Sequence, residues 1–254
     1  LLALAVALPD GRALWTRVHG VSRPGQALVG EDASGVVLLN PTGDGAWQVW
    51  TNGHHHSSLP FGGVHTLLGA LPALLHPRPE RVAIVGLGSG DTAWAASLRP
   101  ETRELDVFEI CGAQLPLLGQ VAARGALPDL TRLLEDPRLR LQVTDGRQAL
   151  ARSPGRYDLI ELDPLWPYYA YSGNLYSREF FELAARALRP GGVVCSWSPT
   201  PRVRATFVRV FPHVRTTARG HVLLGSRSPL PDAPAPAPEA RAAALAHLGA
   251  ERLA

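Results

Sequence analysis

The sequence predicts an α/β protein built on a mostly parallel sheet, and three observations lead to this fold class. Strand and helix patterns alternate from residue 82 to about residue 197, which is typical of βαβ units. A glycine-rich turn follows the first of these strands, at Gly86. Two short strand patterns joined through Gly220 predict an antiparallel hairpin that closes the sheet.

Residues 1–60 are predicted to form a small β-rich domain. Short strand patterns separated by turn residues occupy it, at 13–18, 35–39 and 46–50. The three histidines at 54–56 are interpreted as a solvated turn rather than a metal site. Adjacent histidines of a strand point to opposite faces, and no cluster of Cys or acidic residues accompanies them. No metal is predicted.

A second domain is predicted at residues 61–228. It begins with an apolar helix over 64–75, and further helices are predicted at 92–98, 177–188 and near 201–210. Its strands are predicted at 82–85, 105–110, 139–146, 157–164, 193–197, 214–217 and 221–225. Residues 229–254 are predicted to form a Pro/Ala-rich linker and a C-terminal helix.

Composition argues against a nucleic-acid partner. The net charge is +3 and all 25 basic residues are arginine, but they are scattered along the chain. A hydrophobic content of 46% is ample for a core. Cys111 and Cys195 lie far apart beside strand patterns, which predicts buried free thiols in a reducing compartment, the cytoplasm.

The N-terminal residues leave two alternatives open. The chain begins without Met, which suggests a fragment, and residues 1–8 are apolar but too short for a membrane span. They fit a strand or the last turns of a truncated membrane helix.

The segment around Gly86 is the strongest functional signal. Residues 82–85 predict a buried strand, and the glycines that follow allow a backbone to approach a ligand closely. The predicted helix at 92–98 then directs its N-terminal N–H groups toward that ligand. Such a turn is a weak signal alone.

Three acidic residues strengthen the functional signal of the glycine turn, because each ends a predicted strand. Glu109 lies 23 residues after Gly86, which suits hydrogen bonds to the two hydroxyls of a ribose. Asp145 and Asp163 end the next two strands. The carboxyl ends of parallel strands meet at one edge of the sheet, where open α/β sheets bind ligands.

These motifs, together with residues 173–181 and 188–192, resemble those of the spermidine synthase-type aminopropyltransferases. The likeness runs from about residue 30 to residue 228 and is greatest to a branch often joined to a multipass membrane segment. The resemblance implies a class I methyltransferase fold with seven strands, the last antiparallel. It also implies a transferase of polyamine biosynthesis that moves an aminopropyl group to an amine.

The same resemblance implies a co-substrate, partners and residue roles. The co-substrate is decarboxylated S-adenosylmethionine or S-adenosylmethionine itself, and the partner is a small-molecule amine. A homodimer and attachment to a membrane segment are both compatible with it. The implied contacts are Gly86, Gly88, Ser89 and Gly90 with the sulfonium nucleoside, Glu109 with ribose, Asp145 and Gly146 with adenine, Asp163 as catalytic residue, and His65, Trp166 and Tyr176 with substrate, within a wall of Tyr168, Tyr169, Tyr171 and Tyr176.

The chain departs from the family where the amines bind. Characterised members carry an aspartate inside the glycine turn and another three residues after the catalytic aspartate. Ser89 and Trp166 occupy these positions here, and His65 retains only the histidine of the family's Tyr-His-Glu segment. The nucleoside half of the site is therefore expected to be intact and the amine half altered.

Two other functions stay open. A methyltransferase acting on a small molecule uses the same fold. The decarboxylated co-substrate needs an acid where Ser89 stands, so Ser89 weakens the aminopropyl interpretation and leaves the methyltransferase open. A nucleoside-binding domain without turnover is the second alternative, against which Asp163 counts. Glu109, Asp145 and Asp163 also have structural interpretations as strand-end or turn acids. Glu161 is expected to be structural or surface-exposed, on the face opposite Asp163.

Overall fold

The computed structural model describes residues 10–22, 25–43, 45–170, 172–230 and 238–249, which form two sheets. The apolar run at 1–8, Tyr171 and most of the predicted Pro/Ala linker lie outside the described residues. No helix among the described residues is long and apolar enough to cross a membrane. The division into domains at residues 60 and 228 stays a prediction.

The first sheet is antiparallel and has four strands in chain order. A short helix precedes it. The elements are α1 (Gly11–Val18), β1 (Leu28–Asp32), β2 (Gly35–Gly43), β3 (Ala46–Thr51) and β4 (His54–Leu59).

Two predictions for this region were wrong. The segment 13–18 is part of helix α1 rather than a strand, because Asp10, outside the run, caps the helix by accepting a hydrogen bond from the backbone N–H of Ala13 (2.7 Å). The histidines at 54–56 belong to strand β4 rather than to a solvated turn. Asn52 and Gly53, both with positive φ (50° and 82°), form the tight hairpin turn that pairs β4 with β3.

The second sheet has seven strands in the order β10-β11-β9-β8-β5-β6-β7. Strands β5 to β9 are parallel, and β11 is antiparallel to both of its neighbours, as the sequence predicts. The elements are α2 (Val64–Leu75), β5 (Arg81–Val85), α3 (Asp91–Ala96), β6 (Glu104–Glu109), α4 (Gln114–Ala122), α5 (Pro128–Leu134), β7 (Leu139–Val143), α6 (Gly146–Ala151), β8 (Tyr157–Leu162), α7 (Arg178–Ala187), β9 (Leu188–Trp197), α8 (Pro201–Val208), β10 (His213–Thr217), β11 (Val222–Ser226) and α9 (Pro238–Leu248).

Helices α2 and α3 pack against each other unusually closely at Gly69. A Cβ atom added to Gly69 would lie 2.2 Å from the carbonyl oxygen of Thr92. Only glycine permits this approach, which brings the first turns of both helices to one end of the sheet. Those turns carry His65 and Thr92.

The amino ends of the central strands are joined by one acid, Asp158. Its Oδ2 accepts hydrogen bonds from the backbone N–H groups of Glu80 (2.9 Å) and Arg81 (2.8 Å), and its Oδ1 pairs with Arg189 (3.2 Å). These contacts join the start of β5 to β8 and β9, at the edge opposite the predicted site.

Both cysteines are free and buried, as predicted. Cys195 lies in β9 beside Glu161 of β8, which is fully buried (0% exposed). Of the two predicted alternatives for Glu161, a structural role or a place on the surface, the second was therefore wrong. The prediction that Glu161 lies on the face opposite Asp163 was also wrong, because residues two apart on a strand lie on the same face. Both Glu161 and Asp163 lie on the side covered by α2 and α3.

Candidate active site

The site lies where the strand order reverses. From β5 the chain adds β6 and β7 on one side, and it then returns to place β8 and β9 on the other. Gly86 follows β5 and Asp163 follows β8, so these residues meet at the crevice expected at such a point. A Cβ on Gly86 would lie only 3.4 Å from the carbonyl oxygen of Asp163.

Two adjoining cavities occupy this crevice. The larger cavity has a volume of 310 Å³, and Gly86, Gly88, Glu109, Asp145 and Gly146 are among its lining residues. The smaller cavity has a volume of 170 Å³ and is lined in part by His65, Ser89, Asp91, Trp166 and Trp197. They share a wall made of His56, Gly86, Gly88, Asp163, Pro164 and Leu165.

The glycine turn needs its glycines for two different reasons. Gly86, Gly88 and Gly90 all have positive φ (96°, 53° and 96°), which favours glycine. Gly86 and Gly88 line both cavities, whereas Gly90 lines neither. A Cβ on Gly90 would lie 2.7 Å from a methyl group of Leu133, so this glycine permits packing behind the turn.

Glu109 holds two backbone segments in place at the floor of the larger cavity. Its Oε2 accepts a hydrogen bond from the N–H of Leu87 and its Oε1 accepts one from the N–H of Cys111, both at 2.8 Å. Burial raises the pKa of the Glu109 carboxyl, although these hydrogen bonds oppose the shift. Each oxygen keeps a second lone pair that can accept from a ligand hydroxyl.

Asp145 and Gly146 form the end of the larger cavity beyond β7. Asp145 caps α6 by accepting a hydrogen bond from the N–H of Arg147 (2.8 Å). A Cβ on Gly146 would lie 2.7 Å from Cγ1 of Val85, so only glycine fits here against β5. The structure thus brings Glu109, Asp145 and the glycine turn to one cavity.

Asp163 forms an ion pair with His65 between the two cavities. Its Oδ2 lies 2.5 Å from Nδ1 of His65 and accepts a second hydrogen bond from Thr92 Oγ1 (2.9 Å). Nε2 of His65 lies 2.9 Å from the carbonyl oxygen of His56, which can only accept, so Nε2 carries a proton. A second proton is needed between Nδ1 and Oδ2.

The charges of this pair follow from its surroundings. Burial lowers the pKa of His65, but the charge and hydrogen bond of Asp163 outweigh it and raise that pKa to about 9. Burial raises the pKa of Asp163, yet the charge of His65 and the hydrogen bonds lower it overall. At neutral pH the pair is imidazolium and carboxylate. Among the described residues, Oδ1 of Asp163 accepts no hydrogen bond.

Two neighbours of this pair were not predicted from the sequence. Asp91, directly after the glycine turn, accepts hydrogen bonds from the N–H of Gly62 and the hydroxyl of Thr66, both at 2.7 Å, and is only 2% exposed. Burial raises the pKa of Asp91 to about 6, against the effect of these bonds. Burial, together with the charge of His65, lowers the pKa of His56 to about 4, so His56 is neutral at neutral pH.

The aromatic wall of the smaller cavity is made of tryptophans. Trp166 and Trp197 lie with ring centroids 4.8 Å apart at 83°. Tyr176, predicted to contact substrate, lines neither cavity, and its hydroxyl donates to the carbonyl oxygen of Pro164 (2.9 Å). Tyr168 and Tyr169 also line neither, since Tyr168 stacks on Trp166 and Tyr169 stacks on His54.

The sheet topology defines the chain as a class I methyltransferase-like α/β protein, with two adjoining cavities at the point where the strand order reverses. Comparison with known proteins narrows this class. Residues 62–210 match the family described as the spermine/spermidine synthase domain, and the chain belongs to this family.

The similar proteins include both aminopropyltransferases and methyltransferases. The polyamine aminopropyltransferase of Bacillus subtilis (strain 168) is 28% identical over 54% of this chain and 48% of its own length. Putrescine N-methyltransferase 4 of Nicotiana tabacum is 35% identical over 52% of this chain and 32% of its own. The spermidine synthase of Coffea arabica is 34% identical over 51% and 40%. The chain thus spans about half the length of these relatives or less.

Solved structures share the fold. A spermidine synthase in complex with the transition-state analogue AdoDATO superposes with a TM-score of 0.69 at 21% identity, covering 79% of this chain and 73% of the other. The spermidine synthase of Thermotoga maritima gives a TM-score of 0.66 at 20% identity, covering 79% and 72%.

Proposed function

We propose that this chain is an aminopropyltransferase that binds decarboxylated S-adenosylmethionine in the larger cavity and transfers its aminopropyl group to an amine in the smaller cavity. The observation that carries the proposal is the shared wall. The carboxylate of Asp163 lines both cavities, where a sulfonium carbon and an attacking nitrogen would meet. Membership of the spermine/spermidine synthase domain family supports it.

The larger cavity suits an adenosine moiety. Its volume is sufficient for a nucleoside, and the carboxylates of Glu109, Asp145 and Asp163 line it. Glu109 would accept hydrogen bonds from the ribose hydroxyls, while Asp145 and Gly146 would contact the adenine. Gly86 and Gly88 would let the backbone approach the sulfonium carbon without a side chain between them.

The reaction needs little from the protein beyond position and charge. The lone pair of an uncharged amine forms a bond to the carbon beside the sulfonium, and the carbon–sulfur bond breaks with its electron pair remaining on sulfur. The product nitrogen then loses a proton. Oδ1 of Asp163 would accept a hydrogen bond from the amine and direct its lone pair to the carbon.

His65 limits Asp163 as a base. Because the pKa of Asp163 is lowered, its carboxylate is a weak proton acceptor at neutral pH. Asp163 would therefore orient the amine and stabilise the positive charge that develops on it, and the proton would leave through water. His65 is a positioning residue in this proposal, since its other nitrogen is held by the His56 carbonyl.

The test is a calorimetric titration of the purified protein with S-adenosylmethionine and with its decarboxylated form, followed by mass spectrometry of products formed from mono- and diamines. Tighter binding of the decarboxylated compound and an aminopropylated amine are expected. Preference for the carboxylated compound with no aminopropylated product would overturn the proposal.

A methyltransferase is the second candidate, and Ser89 favours it. S-adenosylmethionine carries one net positive charge, whereas its decarboxylated form carries two. Ser89 lines the smaller cavity at the position where the family resemblance places an acid, so no carboxylate there offsets the second charge. The imidazolium of His65 in the same cavity would attract a carboxylate. A methylated amine in the same product analysis would establish this candidate.

We place the reaction in the cytoplasm, which suits the two free thiols, within polyamine metabolism. A homodimer and attachment to a membrane segment stay proposals. Size-exclusion chromatography with light scattering tests the homodimer.

A further inference from the structure

We infer that the smaller cavity accepts an amine with an uncharged, apolar body, preferably an aromatic one, rather than a diamine. This inference rests on the proposed function, since it concerns the acceptor of the same reaction. Two independent observations carry it: the balance of charged groups around the cavity, and the indole rings that form its wall.

The carboxylates at the smaller cavity are already engaged. Asp91 uses one oxygen for Gly62 and the other for Thr66, and Asp163 uses Oδ2 for both His65 and Thr92. Oδ1 of Asp163 is the carboxylate oxygen left to meet the attacking nitrogen. Within the described part of the chain, no other acid lines this cavity, so a distal ammonium would meet only the nearly buried Asp91, whose two oxygens already hold Gly62 and Thr66.

The net charge of the groups around the smaller cavity also argues against a second ammonium on the acceptor. Asp91 and Asp163 contribute two negative charges and the imidazolium of His65 offsets one. The sulfonium of the bound co-substrate offsets the other, and the ammonium of the decarboxylated form then has no counter-charge left. The attacking amine must itself be uncharged to react, so any further ammonium on the acceptor would lie in the cavity without a counter-charge.

The wall opposite these groups is apolar. Trp166 stands three residues after Asp163, where the resemblance places an amine-binding acid, and it contacts Trp197 edge to face. Val64 lines the same cavity. Indole rings pack well against flat apolar groups, with the ring edges and faces in contact. The exchange of an acid for an indole thus changes the matching acceptor from a dication to an aromatic amine.

Aromatic rings also attract cations, so a cation held between Trp166 and Trp197 is the rival arrangement. The experiment must distinguish an uncharged aromatic group in the cavity from a cation held between the two indole rings. Rates of release of the thioether nucleoside are measured with 2-phenylethylamine, hexylamine, 1,5-diaminopentane and 3-aminopropyl-trimethylammonium, at saturating sulfonium co-substrate. We expect kcat/KM for 2-phenylethylamine to exceed that for 1,5-diaminopentane by about tenfold or more, the effect of one unpaired buried charged group.

Trp166→Asp is the decisive variant. It should lower kcat/KM for 2-phenylethylamine and raise it for 1,5-diaminopentane, and so reverse the preference. Val208→Asp is the control, because it adds the same charge in place of an exposed apolar residue on α8 that lines neither cavity, and it should leave the preference unchanged.

A wild-type preference for the diamine, or for the trimethylammonium compound, overturns the inference while leaving alkyl transfer intact. Absence of turnover with every amine overturns the proposed function instead. Calorimetric binding of 2-phenylethylamine and 1,5-diaminopentane, in the presence of the thioether nucleoside, then decides which ligand class the cavity takes.

Discussion

Nδ1 of His65 and Oδ2 of Asp163 are 2.5 Å apart although 98 residues separate them in the sequence. Helix α2 supplies the histidine and the end of β8 supplies the aspartate. The pair lies between the two cavities, so the negative charge of Asp163 depends on the position of α2, which packs against α3 at Gly69.

Asp163→Asn is expected to abolish turnover while leaving nucleoside binding nearly unchanged. The amide cannot carry the negative charge that would stabilise the reacting amine, but it leaves Glu109 and Asp145 untouched. The measurements are single-turnover rates and calorimetric titration with the sulfonium compound. A variant with wild-type rate would refute the catalytic assignment.

The same variant should change the titration of His65. In the native protein the pKa of His65 is about 9 because Asp163 outweighs burial. Without the carboxylate, burial dominates, and the pKa should fall below its ordinary value near 6.5. NMR titration of the imidazole checks this. An unchanged pKa would show that the ion pair does not form in solution.

Glu109→Gln is expected to weaken nucleoside binding by about tenfold or more, because one amide N–H₂ would face a backbone donor that Glu109 now accepts from. Calorimetric titration measures the loss. Glu179→Gln is the control, since Glu179 is exposed on α7, away from both cavities. Equal affinities for the two variants would remove Glu109 from the ribose site.

Glu161→Gln is expected to stabilise the protein as pH rises. Burial raises the pKa of Glu161 well above its unfolded value, and the neighbouring thiol of Cys195 opposes this shift without reversing it. The native state therefore binds the proton more tightly, and its stability falls as pH rises from the unfolded pKa toward the folded one. Gln removes this dependence, with a gain of about 1–3 kcal/mol at neutral pH.

Urea unfolding of both proteins between pH 4 and pH 9 tests this. The difference should vanish near the ordinary pKa of a glutamate, about 4.3. Glu101→Gln provides a control of opposite sign, because the hydrogen bond from Arg99 lowers the pKa of Glu101. A gain at Glu161 that does not depend on pH would contradict the prediction.

Gly69→Ala and Gly119→Ala should act in opposite directions, although both glycines lie inside helices. The new methyl group at residue 69 would overlap Thr92 and Ala96, so we expect a loss of about 1–3 kcal/mol. Residue 119 has no atom within reach of a methyl group, so alanine should gain about 0.5–1 kcal/mol there. Thermal or urea unfolding measures both. Similar shifts would mean that α2 and α3 are less closely packed.

The strands of the second sheet could be predicted from the sequence because local signals mark where they end. The apolar run of β5 ends at a glycine turn, and the hairpin of β10 and β11 is joined through Gly220. The final helix was also predicted, and it packs on the sheet domain through a contact of His247 with Trp94.

The same reasoning failed where a residue just outside the run decides the outcome. The run at 13–18 has a strand-like pattern, but Asp10 outside it caps a helix. The histidines at 54–56 are polar, which favoured a turn, but the Asn52-Gly53 turn brings them into register with β3 as a strand. Both signals are local, an aspartate N-cap and an Asn-Gly hairpin turn, but the pattern within each run was given more weight.

For the site, strand-end position predicted which residues meet but not how they pair. Glu109, Asp145 and Asp163 were found because parallel strands end at one edge. The engagement of Asp163 by His65 depends on the packing of α2, and Trp197 gave no signal because it ends an ordinary strand. Asp91 follows the glycine turn directly and was detectable as an unusual acid there.

Asp158 lies at the amino ends of the central strands, so the contacts that join these strands are separate from the crevice at their carboxyl ends. One carboxylate anchors three neighbouring strands there without any part in the crevice. Replacements such as Ser89 and Trp166 alter recognition at the other edge and leave this anchor intact. A scaffold anchored in this way would tolerate a change of ligand at the other edge with little loss of folding stability.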